Sequence, residues 1–117
     1  MEKLSEGEWK LMELLWEDAP VNSTQLVARC RENLQWSKST TYTVLRRLCR
    51  KGAAANEEAT VTPLVTREEV LKAQGEELSR QAGGLSPFLT AFFSGRRLTQ
   101  KEAEELKKLI DRHTWEG

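Results

Sequence analysis

Short hydroxyl side chains at Ser37, Ser39, Thr40 and Thr43 are followed at once by Arg46, Arg47, Arg50 and Lys51. From Asn33 to Asn56 the chain carries five cations, Lys38 being the first, and no acidic residue. Hydroxyls exchange hydrogen bonds with neutral polar edges, and guanidinium groups clamp phosphates or the O6/N7 edge of guanine. Ser37 is suited to cap a helix and Gly52 to stop one, so the spacing predicts a helix from about Lys38 to Lys51. At about 100° per residue, Thr41, Val44, Leu45 and Leu48 share one stripe, while Ser39, Tyr42, Thr43, Arg46 and Arg50 share the other. One side packs and the other faces outward. Small hydroxyls near the N-terminus let that end sit deep in a major groove and reach base edges, with arginines further along meeting phosphates or a guanine. The segment therefore reads as a DNA-recognition helix.

Other chemistries find little support. Asp111 and His113 lie two apart on a helical segment and point in different directions, and no serine or cysteine has a base within obvious reach. Gly83-Gly84 lacks the surroundings of a phosphate-binding loop, so no enzyme and no cofactor is expected. Cys30 and Cys49 read as reduced structural thiols, and the single histidine, His113, belongs to no ligand cluster, so no metal is expected. Trp9, Trp16 and Trp36 have the spacing of core aromatics, with Trp115 frayed or at a self-association surface. Eighteen basic and eighteen acidic residues cancel, nine of each on either side of Val65, so the cationic surface is local and favours a defined contact over a basic tail. No signal-peptide pattern and no membrane-length apolar run is present, which predicts a soluble cytoplasmic protein.

The elements that must hold this helix are legible from caps and stripes. Ser5-Glu6-Gly7-Glu8 is a capping box, with Leu4 closing on Trp9 as a hydrophobic staple, and it opens a helix with the stripe Trp9, Met12, Leu15, Trp16 that ends at Ala19-Pro20. A second helix follows Asn22 or Ser23, with Leu26, Val27 and Cys30 inward, and finishes near Asn33. After the cationic helix, Asn56-Glu57-Glu58 reads as a tight turn, and Thr60, Val61, Thr62 and Val65 favour extended structure. The order is mainly α: a winged helix-turn-helix of three helices plus a short β-hairpin wing over residues 1–65. Glu57 and Glu58 at the wing tip would repel phosphates.

Residues 66–117 return to helix. Thr66-Arg67-Glu68-Glu69 is a capping box before Val70, Leu71 and Leu78, and Gly83-Gly84 breaks the run. Ser86-Pro87 is expected to open the next helix, and Thr99-Gln100-Lys101-Glu102 opens the last, with Ala103, Leu106, Leu109, Ile110 and His113 on one face. So short a tail cannot cover Phe88, Leu89, Phe92, Phe93, Leu98, Leu106, Leu109 and Ile110 alone, so these helices are expected to form a homodimer interface. The alternatives are that the tail folds back as ordinary core, or that the chain is a winged-helix protein-protein adaptor without specific DNA binding.

The opening LSEGEWKLMELLW, Val21-Asn22-Ser23, WSKSTTYTVLRRLCRKG (Trp36 to Gly52), VTPLVTREE and LTQKEAEELKKLI together resemble the BlaI/MecI/CopY, or penicillinase repressor, family of bacterial winged-helix repressors. The resemblance implies a dimer on a two-fold operator, often with TACA/TGTA half-sites. It implies that Ser39, Thr40, Tyr42, Thr43 and Arg46 face bases while Ser37, Arg47, Arg50 and Lys51 mainly hold phosphates; Lys38 completes the candidate set. It also implies a membrane sensor-protease pathway that cuts penicillinase-type members at an Asn-Phe bond, where this chain has Ala91-Phe92. The C-terminal cysteines of copper-responsive members have no counterpart here.

Overall fold

The computed structural model describes residues 1–116. Its elements are α1 (Glu6–Asp18), β1 (Val21–Asn22), α2 (Ser23–Leu34), α3 (Lys38–Arg50), β2 (Ala54–Glu57), β3 (Thr60–Pro63), α4 (Arg67–Ala82), α5 (Leu85–Phe93) and α6 (Gln100–Arg112). This is a mainly helical chain with a small antiparallel sheet, ordered β1-β3-β2, in the sequence of a winged helix-turn-helix. It divides into two compact units, the first ending at Glu77 and the second beginning at Leu78, inside α4.

Local chemistry fixes the helix starts. Ser5 and Glu8 exchange the two bonds of a capping box, as do Thr66 with Glu69 and Thr99 with Glu102. Asn22, one of the two expected caps, forms a further box with Gln25. The Ser37 hydroxyl accepts from the Thr40 amide at 3.1 Å to start α3. At the other end Gly52 adopts φ 77°, and the bonds Gly52 N to Cys49 O and Ala53 N to Leu48 O tie off the last carbonyls.

The core of the first unit is made where the stripes of α1, α2 and α3 meet. Leu11, Met12 and Leu15 from α1, Leu26 and Cys30 from α2, and Thr41, Leu45 and Leu48 from α3 are all 0–2% exposed. Trp9 and Trp16, expected inside the α1 stripe, pack half-buried at its margin, and Leu11 and Leu14 take the interior positions. Their rings meet edge to face at 5.4 Å, and the Trp16 indole donates to Val65 O at 2.9 Å. An indole needs a partner for its N–H, which holds Trp16 at the rim. Val70 of α4 is fully buried in this unit, whereas Leu71 remains exposed.

The wing is tighter than the sequence suggests. Glu57 pairs with Thr60, leaving Glu58 and Ala59 as a two-residue turn, both at positive φ (51° and 63°). Asn56 and Glu57, expected in the turn, belong to β2, because a hairpin with positive φ at both central residues matches strand twist with the shortest loop. The two-residue β1, not anticipated, pairs Val21 with Val61 and closes the sheet on the core.

In the second unit α5 begins at Leu85 behind Gly84, with no side-chain cap, and not at Ser86-Pro87. Gly83 and Gly84 both lie at positive φ and turn the chain within two residues, so Pro87 falls inside the first turn, where its missing N–H costs nothing. Neither α5 nor α6 contains a buried residue.

Candidate nucleic-acid interface

The outward face of α3 is built as the spacing predicted except at Tyr42. Ser37, Lys38, Ser39 and Thr40 are exposed at its head, Arg46, Arg47 and Arg50 along its length, and Thr43 is half-exposed. Tyr42, expected on the outward face, is half-buried and packs against the core. Hydrogen bonds organise the hydroxyls: Ser37 Oγ donates to Thr40 Oγ1 at 3.0 Å, and Thr43 Oγ1 donates to Ser39 O at 2.9 Å. Arg46 Nη2 donates to Thr43 Oγ1 at 3.4 Å, which aims the guanidinium back along the helix. Thr41, the inward hydroxyl, bonds Ser37 O at 3.0 Å and is buried.

Among the described residues Lys38, Arg46, Arg47 and Arg50 take part in no ion pair, whereas Lys10, Arg29, Lys51 and Arg67 do. Lys51 thus differs from the cations with which the sequence groups it. Its Nζ lies 2.8 Å from both Glu8 oxygens and 2.7 Å from Lys3 O, so its donors are engaged inside the unit. Glu8 is itself 3% exposed. Burial works to raise its pKa, but hydrogen bonds from Lys51 and Ser5 outweigh that and hold the carboxyl below its ordinary value. The sequence held a signal for this partner: Glu8 falls on the same helical stripe as Leu11, Met12 and Leu15, and an acid on a buried stripe needs a cation.

Two further contacts were not read from the sequence. The Trp36 ring, just before the α3 cap, lies over Gly7, where an added methyl would touch Cζ2 at 3.6 Å. Arg67 at the start of α4 stacks over Trp16 and Trp9, its guanidinium 5.0 and 5.8 Å from the ring centroids, with Glu13 Oε2 3.8 Å from its Nη2.

Cys30 is buried and Cys49 half-buried, and burial pushes both thiols up, partly opposed by hydrogen bonds with Thr41 and with the Asn56 backbone. Neither is poised as a nucleophile. Among the described residues there is no cluster that could hold a metal ion, and no helix is long and apolar enough to cross a membrane. The wing tip residues Glu57 and Glu58 are exposed.

In the second unit, Leu89, Phe92, Phe93, Leu98, Leu106 and Leu109 line an open groove of about 670 Å³ edged by Arg96, Glu102, Glu105 and Arg112. Phe88, Leu89, Phe93 and Leu106 are half-buried, whereas Phe92, Leu98, Leu109 and Ile110 are 40–61% exposed. Trp115 is 88% exposed.

The first unit is a winged helix-turn-helix whose third helix presents hydroxyls and unpaired cations to solvent, the class of fold and surface that reads duplex DNA. Residues 4–112 match the family model for the penicillinase repressor. The chain is 21% identical to a penicillinase repressor of Bacillus licheniformis, spanning 95% of this chain and 91% of that protein. It is 22% identical to the methicillin resistance regulatory protein MecI of Staphylococcus aureus, spanning 94% of each. A 16.5 kDa protein of Latilactobacillus sakei is 26% identical over 92% of this chain and 78% of that one. Among solved structures, a MarR protein from Peptoclostridium difficile superposes with a TM-score of 0.44 at 20% identity, covering 93% of this chain and 67% of that chain. The chain belongs to the penicillinase repressor family, the BlaI/MecI group of DNA-binding transcriptional repressors, a group of non-enzymes.

Proposed function

We propose that this repressor acts as a homodimer on a two-fold operator, each α3 entering a major groove and the second units associating with each other. The observation that carries this is the outward face of α3, with hydroxyls at its head and Lys38, Arg46, Arg47 and Arg50 exposed and free of ion pairs. Ser39, Thr40, Thr43 and Arg46 face base edges, with the half-buried Tyr42 beside them. Lys38, Arg47 and Arg50 hold phosphates. Ser37 contributes through its cap, which keeps the positive end of the helix in order beside the backbone. Residues 1–65 form the DNA-binding part, which α4 completes through the buried Val70, and within 66–117 the apolar groove of α5 and α6 carries self-association.

The acidic wing tip stays off phosphates. Family resemblance supports TACA/TGTA half-sites and release by a sensor-protease pathway. A cut within Phe88–Phe93, where Ala91 and Phe92 are exposed, would disconnect the two DNA-binding parts even without the Asn-Phe bond. The chain works in the cytoplasm, where its DNA is.

Gel-shift titration of a two-fold TACA/TGTA duplex against a scrambled duplex, over a range of salt, tests this reading. A steep loss of affinity with salt and two chains per duplex are expected. Equal binding of both duplexes at low salt contradicts it.

A further inference from the structure

The first turn of α1 touches the segments at both ends of the recognition helix. Gly7 lies under the Trp36 ring, one residue before the Ser37 cap, and its neighbour Glu8 holds Lys51, the residue that ends α3. Glu8 is fixed from its own side: Ser5 Oγ accepts the Glu8 amide at 3.2 Å, and Glu8 Oε1 accepts the Ser5 amide at 3.3 Å. Lys51 is fixed a second time through Lys3 O. A charged pair this enclosed is costly to desolvate, and replacing such pairs with apolar groups is often neutral or stabilising. Stability alone therefore gives a weak reason for keeping it. Geometry gives a better one: the Lys51 amine donates at once to Glu8 Oε1 at 2.8 Å and to Lys3 O at 2.7 Å, while Trp36 covers Gly7, so both ends of α3 are tied to the start of α1.

We infer that the first turn of α1 is the positioning element of the recognition helix, with Glu8 and Lys51 setting the angle at which Ser39, Thr43 and Arg46 are offered to base edges. Lys51 acts through Glu8 and does not itself bind DNA. This rests on the reading of α3 as the DNA-contacting helix. The pair contributes to discrimination between duplexes more than to the electrostatic attraction that any duplex feels, because attraction depends on the exposed cations and discrimination on register.

The test uses the full chain with Glu8→Gln, Lys51→Met, Lys51→Arg and the Glu8→Gln/Lys51→Met double variant. The probes are the tightest duplex that the wild-type chain selects from a random pool and a random-sequence duplex of equal length. Circular dichroism at the assay temperature identifies the folded variants, and Glu8→Gln, which keeps the shape of the side chain, guards against loss of fold in the others. Positioning predicts that Glu8→Gln and Lys51→Met each lower affinity for the selected duplex by roughly tenfold, about the worth of one misplaced base contact. Random-duplex affinity and its salt slope stay within about twofold of wild type, the double variant is no worse than either single one, and Lys51→Arg recovers most of the loss.

If Lys51 instead meets a phosphate, Lys51→Met weakens both duplexes alike and lowers the salt slope by about one, while Glu8→Gln strengthens binding by freeing the amine; that result overturns the inference. Folded variants with lowered melting temperature and an unchanged ratio between duplexes also overturn it. A wild-type chain that selects no duplex removes the operator reading itself, and this inference with it, a failure visible before any variant is made.

Discussion

The two units of this chain leave different kinds of surface unsatisfied. In the first, Leu11, Met12, Leu15, Leu45, Leu48 and Val61 are sealed at 0–2% exposure, and what remains outside on α3 is polar and cationic. In the second, neither α5 nor α6 buries a single residue, and what remains outside is Phe92, Leu98, Leu109 and Ile110. A sealed core with an exposed cationic face is complete as a fold and open as a binder of polyanions. Two helices with an open apolar groove are incomplete as a fold. One surface is suited to a polyanion and the other to apolar atoms, and under the proposed function a second copy of the chain is what supplies those apolar atoms.

The contrast is broken most forcefully at Phe92. Phe92→Glu places a charge in the apolar groove, and sedimentation equilibrium is expected to show monomers. Affinity for a two-fold duplex is expected to fall by roughly 10² to 10⁴ as the second binding event ceases to be intramolecular. A variant that stays dimeric moves the interface elsewhere.

Next in size is the difference between core and tail aliphatics. Leu45→Ala is expected to cost about 2–5 kcal/mol in denaturant unfolding of the first unit, since it empties a closed site. Ile110→Ala, at a position 61% exposed, is expected to cost the monomer almost nothing and to weaken self-association. Equal costs at the two positions would show the tail to be an ordinary core.

Arg46→Ala and Arg47→Ala sharpen the cationic side. Neither is expected to change stability, because both side chains are exposed and form no ion pair. Arg46→Ala is expected to weaken the selected duplex by about 1–3 kcal/mol and to relax its sequence preference. Arg47→Ala is expected to weaken all duplexes alike and to reduce the salt slope by about one. Quantitative gel shifts on both duplexes separate the two.

The smallest effect is in pH. The folded pKa of Glu8 lies below its ordinary value of 4.5, so the pair contributes stability that is present in full above that value and is lost as pH falls through the folded pKa. Denaturant unfolding from about pH 7 down to about pH 3 is expected to show an acid limb that is flatter in Glu8→Gln.

Most of this fold was legible because its signals are local. The caps at Ser5, Ser37, Thr66 and Thr99 and the stop at Gly52 are written within four residues of where they act, and the α3 stripe follows from periodicity alone. What escaped depends on contacts distant in sequence. The ion pair between Glu8 and Lys51 spans 43 positions, and the β1 pairing of Val21 with Val61 joins segments separated by two helices. The start of α5 and the wing turn were misplaced by a residue or two for another reason. Both are decided by backbone dihedrals at Gly83-Gly84 and Glu58-Ala59, and side-chain type signals these only weakly when the turn residues are Glu and Ala.

The most direct measurement is selection of duplexes from a random pool by the purified chain, followed by sequencing. A homodimeric repressor is expected to enrich one site made of two inverted half-sites, at a separation that places them on the same side of the duplex. A single half-site without a mate, or no enrichment over the starting pool, would contradict it.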